Sequence, residues 1–223
     1  MTSQEFEDSF WTHYIMLEKE FMSTASYVRI DPENYNTFSN TYAKLLLQIG
    51  SEVDVVAKET CKLIRPQFRG ENIYQYYHVL SCETDFINTT VPLLNYNIVL
   101  EPWKDIYLCP IDNNTHIVWW MAYNKVKHER TGTVEINGVS KESYKFANLK
   151  NTLSALGGLY QLLLHAYYLV LKTEGKVIDS PLPGSRLFKT EGTIWNSVNF
   201  AFDHKFHIDD NGCLILTTST IPY

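Results

Sequence analysis

The chain has 223 residues, 45% of them hydrophobic and 14% aromatic with 15 tyrosines, which excludes a disordered chain and suffices for one sizeable core. A formal net charge of −6 excludes indiscriminate adsorption to nucleic acid or anionic membrane, because most of the surface repels a polyanion. Cys61, Cys82, Cys109 and Cys213 lie far apart with neither C-x-x-C nor zinc-type Cys/His spacing, and the acidic start Met1 to Asp8 lacks the order of a signal peptide, so reduced thiols, a cytoplasmic location, no metal and no cofactor are expected.

From Glu5 to about Val28, the residues Phe6, Phe10, Tyr14, Leu17, Phe21 and Ala25 recur at steps of three and four, which predicts an amphipathic packing helix. Asp31-Pro32-Glu33 reads as a helix start, with Asp31 as N-cap and Pro32 at the first helical position. From Phe38 to Ile64 apolar residues hold helical spacing until Arg65-Pro66 stops them, giving a long second helix. Ser51, Glu52 and Asp54 sit beside its apolar stripe, where one carboxylate can turn inward towards a basic group such as Lys127 or Arg130. Glu71 to about Thr84 reads as a third, less regular helix, with His78 at or near its surface. Pro92, Pro102 and Pro110 forbid a long helix between Asn88 and Pro110, and Leu93 to Leu100 fits a short extended piece.

The stretch Trp119-Trp120-Met121-Ala122-Tyr123-Asn124-Lys125-Val126-Lys127-His128-Glu129-Arg130 crowds aromatic, amide, imidazole and basic groups into about three helical turns. Asp112, Asn113, Asn114 and Thr115 supply N-cap chemistry and Thr131-Gly132 a stop, so a helix over 115–130 is predicted. That helix stacks His116, Trp120, Asn124 and His128 at i, i+4 spacing, with Lys127 and Arg130 alongside. His116 and His128 would then stand about 18 Å apart, too far to share a metal. Charge follows the same division. Residues 1–120 carry 8 Lys/Arg against 16 Asp/Glu, whereas 121–180 carry 8 against 5, so the basic excess begins inside this stretch. Lys and Arg take phosphate oxygens while aromatic and amide groups contact bases, and Trp120 and Tyr123 are the expected ligand-binding aromatics. A competing reading makes Lys127, His128 and Arg130 mere complements of the helix dipole, with Trp119 and Trp120 in the core.

Val134 to Val139 contains Asn137-Gly138, a hairpin signal. Ser140 to Ser143 then offer caps for the most apolar helix of the chain, Leu153 to Leu171. Its length would cross a bilayer. Ser154, Gln161 and His165 within it, and the lack of a second such run, favour a central core helix and no membrane. Gly157 and Gly158 would admit a close neighbour, and His165 is expected as a hydrogen-bonded core histidine. Pro181, Pro183 and Gly184 mark a loop. Alternation from Val198 to Ile208, a turn at Asp209 to Gly212 and a return run from Cys213 to Ile221 predict a β-hairpin. His204 and His207 fall on opposite faces of it, which disfavours a joint metal site.

With no repeat or low-complexity linker, the expected architecture is mainly α: one helical-bundle domain over 1–223 with a long central apolar helix, and a C-terminal extension from 184 holding a small β-hairpin. No Gly-rich phosphate loop, Gly-x-Ser-x-Gly elbow or Cys/His nucleophile pair is present.

The Trp119 to Arg130 motif, with Ala147 to Leu159 and Ser51-Glu52-Val53-Asp54, resembles a family of uncharacterised bacterial proteins carrying Trp-Trp-x-Ala-Tyr-Asn-x-Val-Lys-His-x-Arg. More distantly it is similar to HEPN domains, α-helical bundles that often dimerise, several of them metal-independent ribonucleases of defence and toxin–antitoxin systems. Their motif sets an Arg a few residues ahead of the His, where this chain has Met121, Ala122 and Tyr123; His128 therefore carries over alone, with Asn124 as a polar neighbour. The resemblance implies RNA binding that extends to cleavage, with His128 as general acid or base, Lys127 and Arg130 stabilising phosphorane charge and Asn124 orienting. The alternative it leaves open is a non-catalytic module whose Trp119 to Arg130 edge joins two copies.

Overall fold

The computed structural model describes residues 1–108, 115–136, 139–176 and 180–189, together with the backbone of 204–208 and 214–218. The organising element is α7, Leu149–Glu174. Asn148 caps it by accepting from the Asn151 amide at 2.9 Å, and Gly175 ends it at φ 65°, a left-handed position where a Cβ would be strained. The cap lies well past the expected Ser140 to Ser143, because those residues are used up in a strand and a short 3-10 turn, Ser143–Phe146. Almost every side chain from Leu149 to Leu171 is buried. The stretch long and apolar enough for a membrane is 89% buried inside the fold, so its apolar surface is satisfied by neighbouring elements, each fully buried Leu contributing roughly 1.5–3 kcal/mol.

The longest neighbour is α3, Asn40–Ile64, packed along α7. It starts nine residues after the predicted cap. Asp31 does cap, accepting from the Glu33 amide at 3.0 Å, but only a 3-10 turn at Pro32–Asn34; the chain breaks and Ser39 begins α3 by accepting from the Tyr42 amide at 3.1 Å. Arg65 then adopts an extended conformation ahead of Pro66 and closes the helix, as the proline requires. The N-terminal helix is continuous but irregular: α1 (Ser3–Phe6), a π-helical turn (Glu7–Trp11) and α2 (Thr12–Ser23). The π turn shifts the register, so Trp11 joins Phe6, Tyr14, Leu17 and Phe21 in the core while Ala25 is exposed.

The predicted third helix divides into α4 (Ile73–Leu80), capped by Asn72, and α5 (Thr84–Asn88). The proline-rich segment forms β1 (Val91–Pro92) paired antiparallel with β2 (Val99–Leu100), joined through Asn95 at φ 62°. Beyond it come β3 (Ile106–Leu108) and β4 (Thr115–Ile117), antiparallel with Ile106 opposite Ile117. Helix α6, Val118–His128, follows directly. Next are β5 (Thr133–Ile136) and β6 (Val139–Glu142), an antiparallel pair with Ile136 opposite Val139 where the sequence signals a small hairpin or tight loop; Asn137 and Gly138 themselves lie outside the described residues. The C-terminal pair β7 (His204–Ile208) and β8 (Leu214–Thr218) is antiparallel, with Phe206 opposite Leu216. The outer parts of the predicted strands, the turn between them and the side chains of His204 and His207 lie outside the described residues. The architecture is mainly α.

Gly157 and Gly158 admit loops and an indole. A Cβ on Gly157 would meet Leu100 at 2.9 Å and one on Gly158 would meet the Trp119 ring at 3.1 Å, while the Gly158 carbonyl accepts from Trp103 Nε1 at 2.9 Å.

Candidate functional site

Helix α6 is shorter than the sequence suggests, and the difference changes the site. Thr115, His116 and Ile117 belong to β4, so the first helical residue is Val118 and no side chain caps it. The β-branched run Thr115-x-Ile117-Val118 suits an extended strand, and the Asp112 to Asn114 run lies outside the described residues. His116 therefore leaves the predicted stripe. Its Nδ1 instead lies 2.8 Å from the Tyr74 hydroxyl, with the two rings edge to face. At the other end Glu129 terminates the helix, and Gly132 is not the left-handed stop expected of it.

Within α6, helical periodicity divides the motif cleanly. Trp119 is fully buried and donates from Nε1 to the Pro102 carbonyl at 2.9 Å; Trp120 is 8% and Tyr123 3% exposed, and Val126 is buried. Lys127, His128 and Arg130 are exposed and Asn124 is half-buried. The tryptophans thus sit in the core, as the competing reading of the motif held. The cationic residues, by contrast, lie on the exposed side of the helix.

Lys127 and His128 open onto a cleft of about 380 Å³ lined by Ser51, Asp54, Glu71, Asn72, Ile73, Tyr74, Trp120, Tyr123, Asn124, Lys127 and His128. Three elements build it: the middle of α3, the start of α4 and the outer face of α6. Of the six predicted site residues, Asn124, Lys127, His128, Trp120 and Tyr123 meet in this one space. Arg130 does not line it and instead approaches the Val126 carbonyl at 3.4 Å. Trp120 and Tyr123 form its wall and floor, not projecting platforms, so stacking on them is limited to the ring edges that reach the opening.

Gly50 makes the cleft possible. A Cβ there would fall 2.3–2.6 Å from three ring carbons of Tyr123, closer than any side-chain contact allows. Only a glycine lets α3 lie this near α6, and one turn further along each helix Asp54 and Lys127 reach the same cleft. Lys127 Nζ lies 5.2 Å from the centroid of the Tyr123 ring, within range of a cation–π attraction of roughly 0.5–1 kcal/mol at an exposed position. Beneath the cleft Tyr76 is buried, and its phenol is pushed up to about 12 by that burial and by the nearby Asp54 carboxylate. The phenol therefore stays neutral at physiological pH. Neither Lys127 nor His128 enters an ion pair among the described residues. Lys125, on another face, is neutralised by Glu129 at 2.8 Å.

The arrangement collects an imidazole, an ammonium, an amide and two carboxylates in an open, water-reachable space. That is an acid–base set with one fixed positive charge, suited to moving a proton at one oxygen while steadying negative charge at another. Among the described residues no three His, Cys, Asp or Glu side chains gather as metal ligands. The two carboxylates were only partly legible in the sequence: the position of Asp54 beside the apolar stripe of α3 pointed to an inward carboxylate, while Glu71 gave no signal, because its place depends on the loop that folds α4 back over α3. No family model, curated protein or solved structure matches this chain.

Proposed function

We propose that this cleft binds single-stranded RNA and cleaves it without a metal, by transfer of the phosphodiester to the neighbouring ribose hydroxyl. The observation that carries the reading is the convergence of Lys127, His128, Asn124, Asp54 and Glu71 on one open cleft. In the reaction the 2′-hydroxyl loses its proton to a carboxylate or to His128, the O2′–P bond forms, and the P–O5′ bond breaks. The departing O5′ takes a proton from the other member of the acid–base pair, leaving a 2′,3′-cyclic phosphate and a 5′-hydroxyl. Lys127 lies where it can balance the charge that builds on the non-bridging oxygens, and Asn124 can hold the imidazole or a base edge. Substrate without a 2′-hydroxyl cannot react, so DNA of the same sequence is bound but not cut.

Arg130 has no part in this version, since it lies off the cleft. The resemblance to HEPN domains supports the same reaction class and adds a defence or toxin–antitoxin setting, and a second copy of the chain is the partner it suggests. The test is incubation of purified protein with end-labelled single-stranded RNA in EDTA beside His128→Ala. Cleavage to 2′,3′-cyclic ends that is lost in the variant supports the reading. No cleavage, or equal cleavage by both proteins, rejects it, and a stable dimer in that case supports the interaction module.

A further inference from the structure

A second groove of about 520 Å³ adjoins the cleft, lined by Arg65, Phe68, Arg69, Gly70, Tyr74, Gln75, His78 and Val79. Tyr74 lines both spaces, so they meet at its ring, which is 40% exposed and braced by His116. The two differ in charge. The cleft holds two carboxylates beside its lysine, whereas this groove presents Arg65, Arg69 and His78 and no carboxylate. In residues 1–120, where acids outnumber bases 16 to 8, two arginines on one groove with no ion pair among the described residues are a local reversal of sign. Their positions are fixed by the turn after α3: Arg65 is its C-terminal cap, and Arg69 Nη1 donates to the Phe68 carbonyl at 2.9 Å. Gly70 has no Cβ to collide with the Phe68 ring, which a Cβ would meet at 2.2 Å. The tip of the ring therefore sits directly against the Gly70 backbone, on the wall of the groove that Arg65 and Arg69 also line.

We infer that this groove is a second subsite for the same strand, with Arg65 and Arg69 on backbone phosphates and Phe68 and Tyr74 offering ring faces to its bases. The inference rests on the RNA reading of the cleft and extends it. The substrate is a single strand several nucleotides long, held by phosphate contacts away from the acid–base residues, not a mononucleotide. Separate tasks explain the separate charge: the cleft needs carboxylates for proton transfer, and the groove needs uncompensated cations for affinity.

Binding of a fluorescein-labelled 12-nucleotide oligodeoxynucleotide, which cannot be cut, between 50 and 200 mM salt tests this for the intact chain, Arg65→Ala/Arg69→Ala and Lys127→Ala. Removing two phosphate contacts lowers the slope of log K against log salt by about 1.4 and weakens binding about tenfold or more at the lower salt, while Lys127→Ala lowers the slope by about 0.7. The arginines are exposed, and equal melting temperatures establish that the variant folds. A slope changed by Lys127→Ala and not by the double variant overturns the second subsite and leaves the cleft reading intact. The reverse pattern upholds the groove and removes the cleft. No binding by the intact chain overturns both.

Discussion

His165 is the most consequential buried group outside the site. Its side chain is 1% exposed on α7, packed against the Phe86 ring at 5.1 Å, and neither ring nitrogen finds a hydrogen-bond partner among the described residues. One turn earlier, Gln161 Nε2 donates to the Phe86 carbonyl at 2.7 Å but its Oε1 is also unpartnered. The sequence predicted a hydrogen-bonded core histidine; burial is as expected and the bonding is not, because α5 presents an aromatic ring where an acceptor would have to stand. Burial drives the imidazole from 6.5 down to about 4, with the Asp85 carboxylate opposing it weakly. Between those values the unfolded chain binds a proton that the folded chain refuses. The contribution is therefore intact above pH 6.5 and is lost as pH falls towards 4, by about 3 kcal/mol at the lower end. Leu fills a similar volume with no charge to exclude and no nitrogen to leave unpaired, so His165→Leu should be more stable at pH 7 by about 1 kcal/mol and by about 3 kcal/mol more at pH 4. Urea unfolding of both proteins at half-unit steps from pH 7.5 to 4 measures the difference directly, and taking the difference cancels every other titrating group. Parallel stability curves, or a His165 Cε1–H resonance that titrates near 6.5 in the folded protein, would refute the reasoning.

Three further outcomes are expected. Gly50→Ala gains up to about 1 kcal/mol of helix propensity but drives a methyl into the Tyr123 ring, an overpacking of about 1–3 kcal/mol; thermal melting should show a net loss, and RNA binding should fall because Asp54 and Lys127 part. Glu18 is 2% exposed and accepts from the Tyr14 hydroxyl at 2.6 Å, the Arg186 amide at 2.9 Å and the Ser185 hydroxyl; Glu18→Ala removes the acceptor that ties α2 to 185–186, which should destabilise the fold by about 1–3 kcal/mol and expose 180–189 to trypsin at Arg186, whereas a melting point within 1 °C would sink the assignment. Cys61 is buried with its thiol pushed up to about 12, chiefly by desolvation, while Cys82 is exposed; maleimide labelling at pH 7.5 followed by peptide mass spectrometry should modify Cys82 within minutes and Cys61 only after denaturation.

Local chemistry was legible wherever the chain decides locally. The stop at Arg65-Pro66, the antiparallel pairing of β5 with β6 and the all-round burial of α7 follow from residue type and spacing alone. Boundaries set by competition were not. Asp31-Pro32 carries every feature of a helix start, yet Ser39 begins α3 because the chain turns after Asn34, with the Thr37 amide on the Asn34 carbonyl at 2.9 Å, and Phe38 bridges to Asn148 at the start of α7. Asp112 to Thr115 resembled a cap until the strand pairing of Ile106 with Ile117 claimed the residues that would have formed the first helical turn. In both cases a long-range partner outweighed a local preference worth about 1 kcal/mol.

The same contrast governs the candidate site. Periodicity alone puts Asn124, Lys127 and His128 on one outward face of α6, and all three are found there. It cannot say what faces them, because that depends on how near α3 comes, and the distance is set by the absence of one methyl group at Gly50. A glycine inside an otherwise regular amphipathic helix signals close backbone approach, and its partner had to be large, buried and on the facing helix. Tyr123 meets all three conditions within the motif itself. With that contact in place, the next turn of α3 carries Asp54 to the cleft and the next turn of α6 carries Lys127. The carboxylate that turns a basic helix end into an acid–base site is thus delivered by a packing contact rather than by any motif, and a reading confined to the motif recovers half of the chemistry.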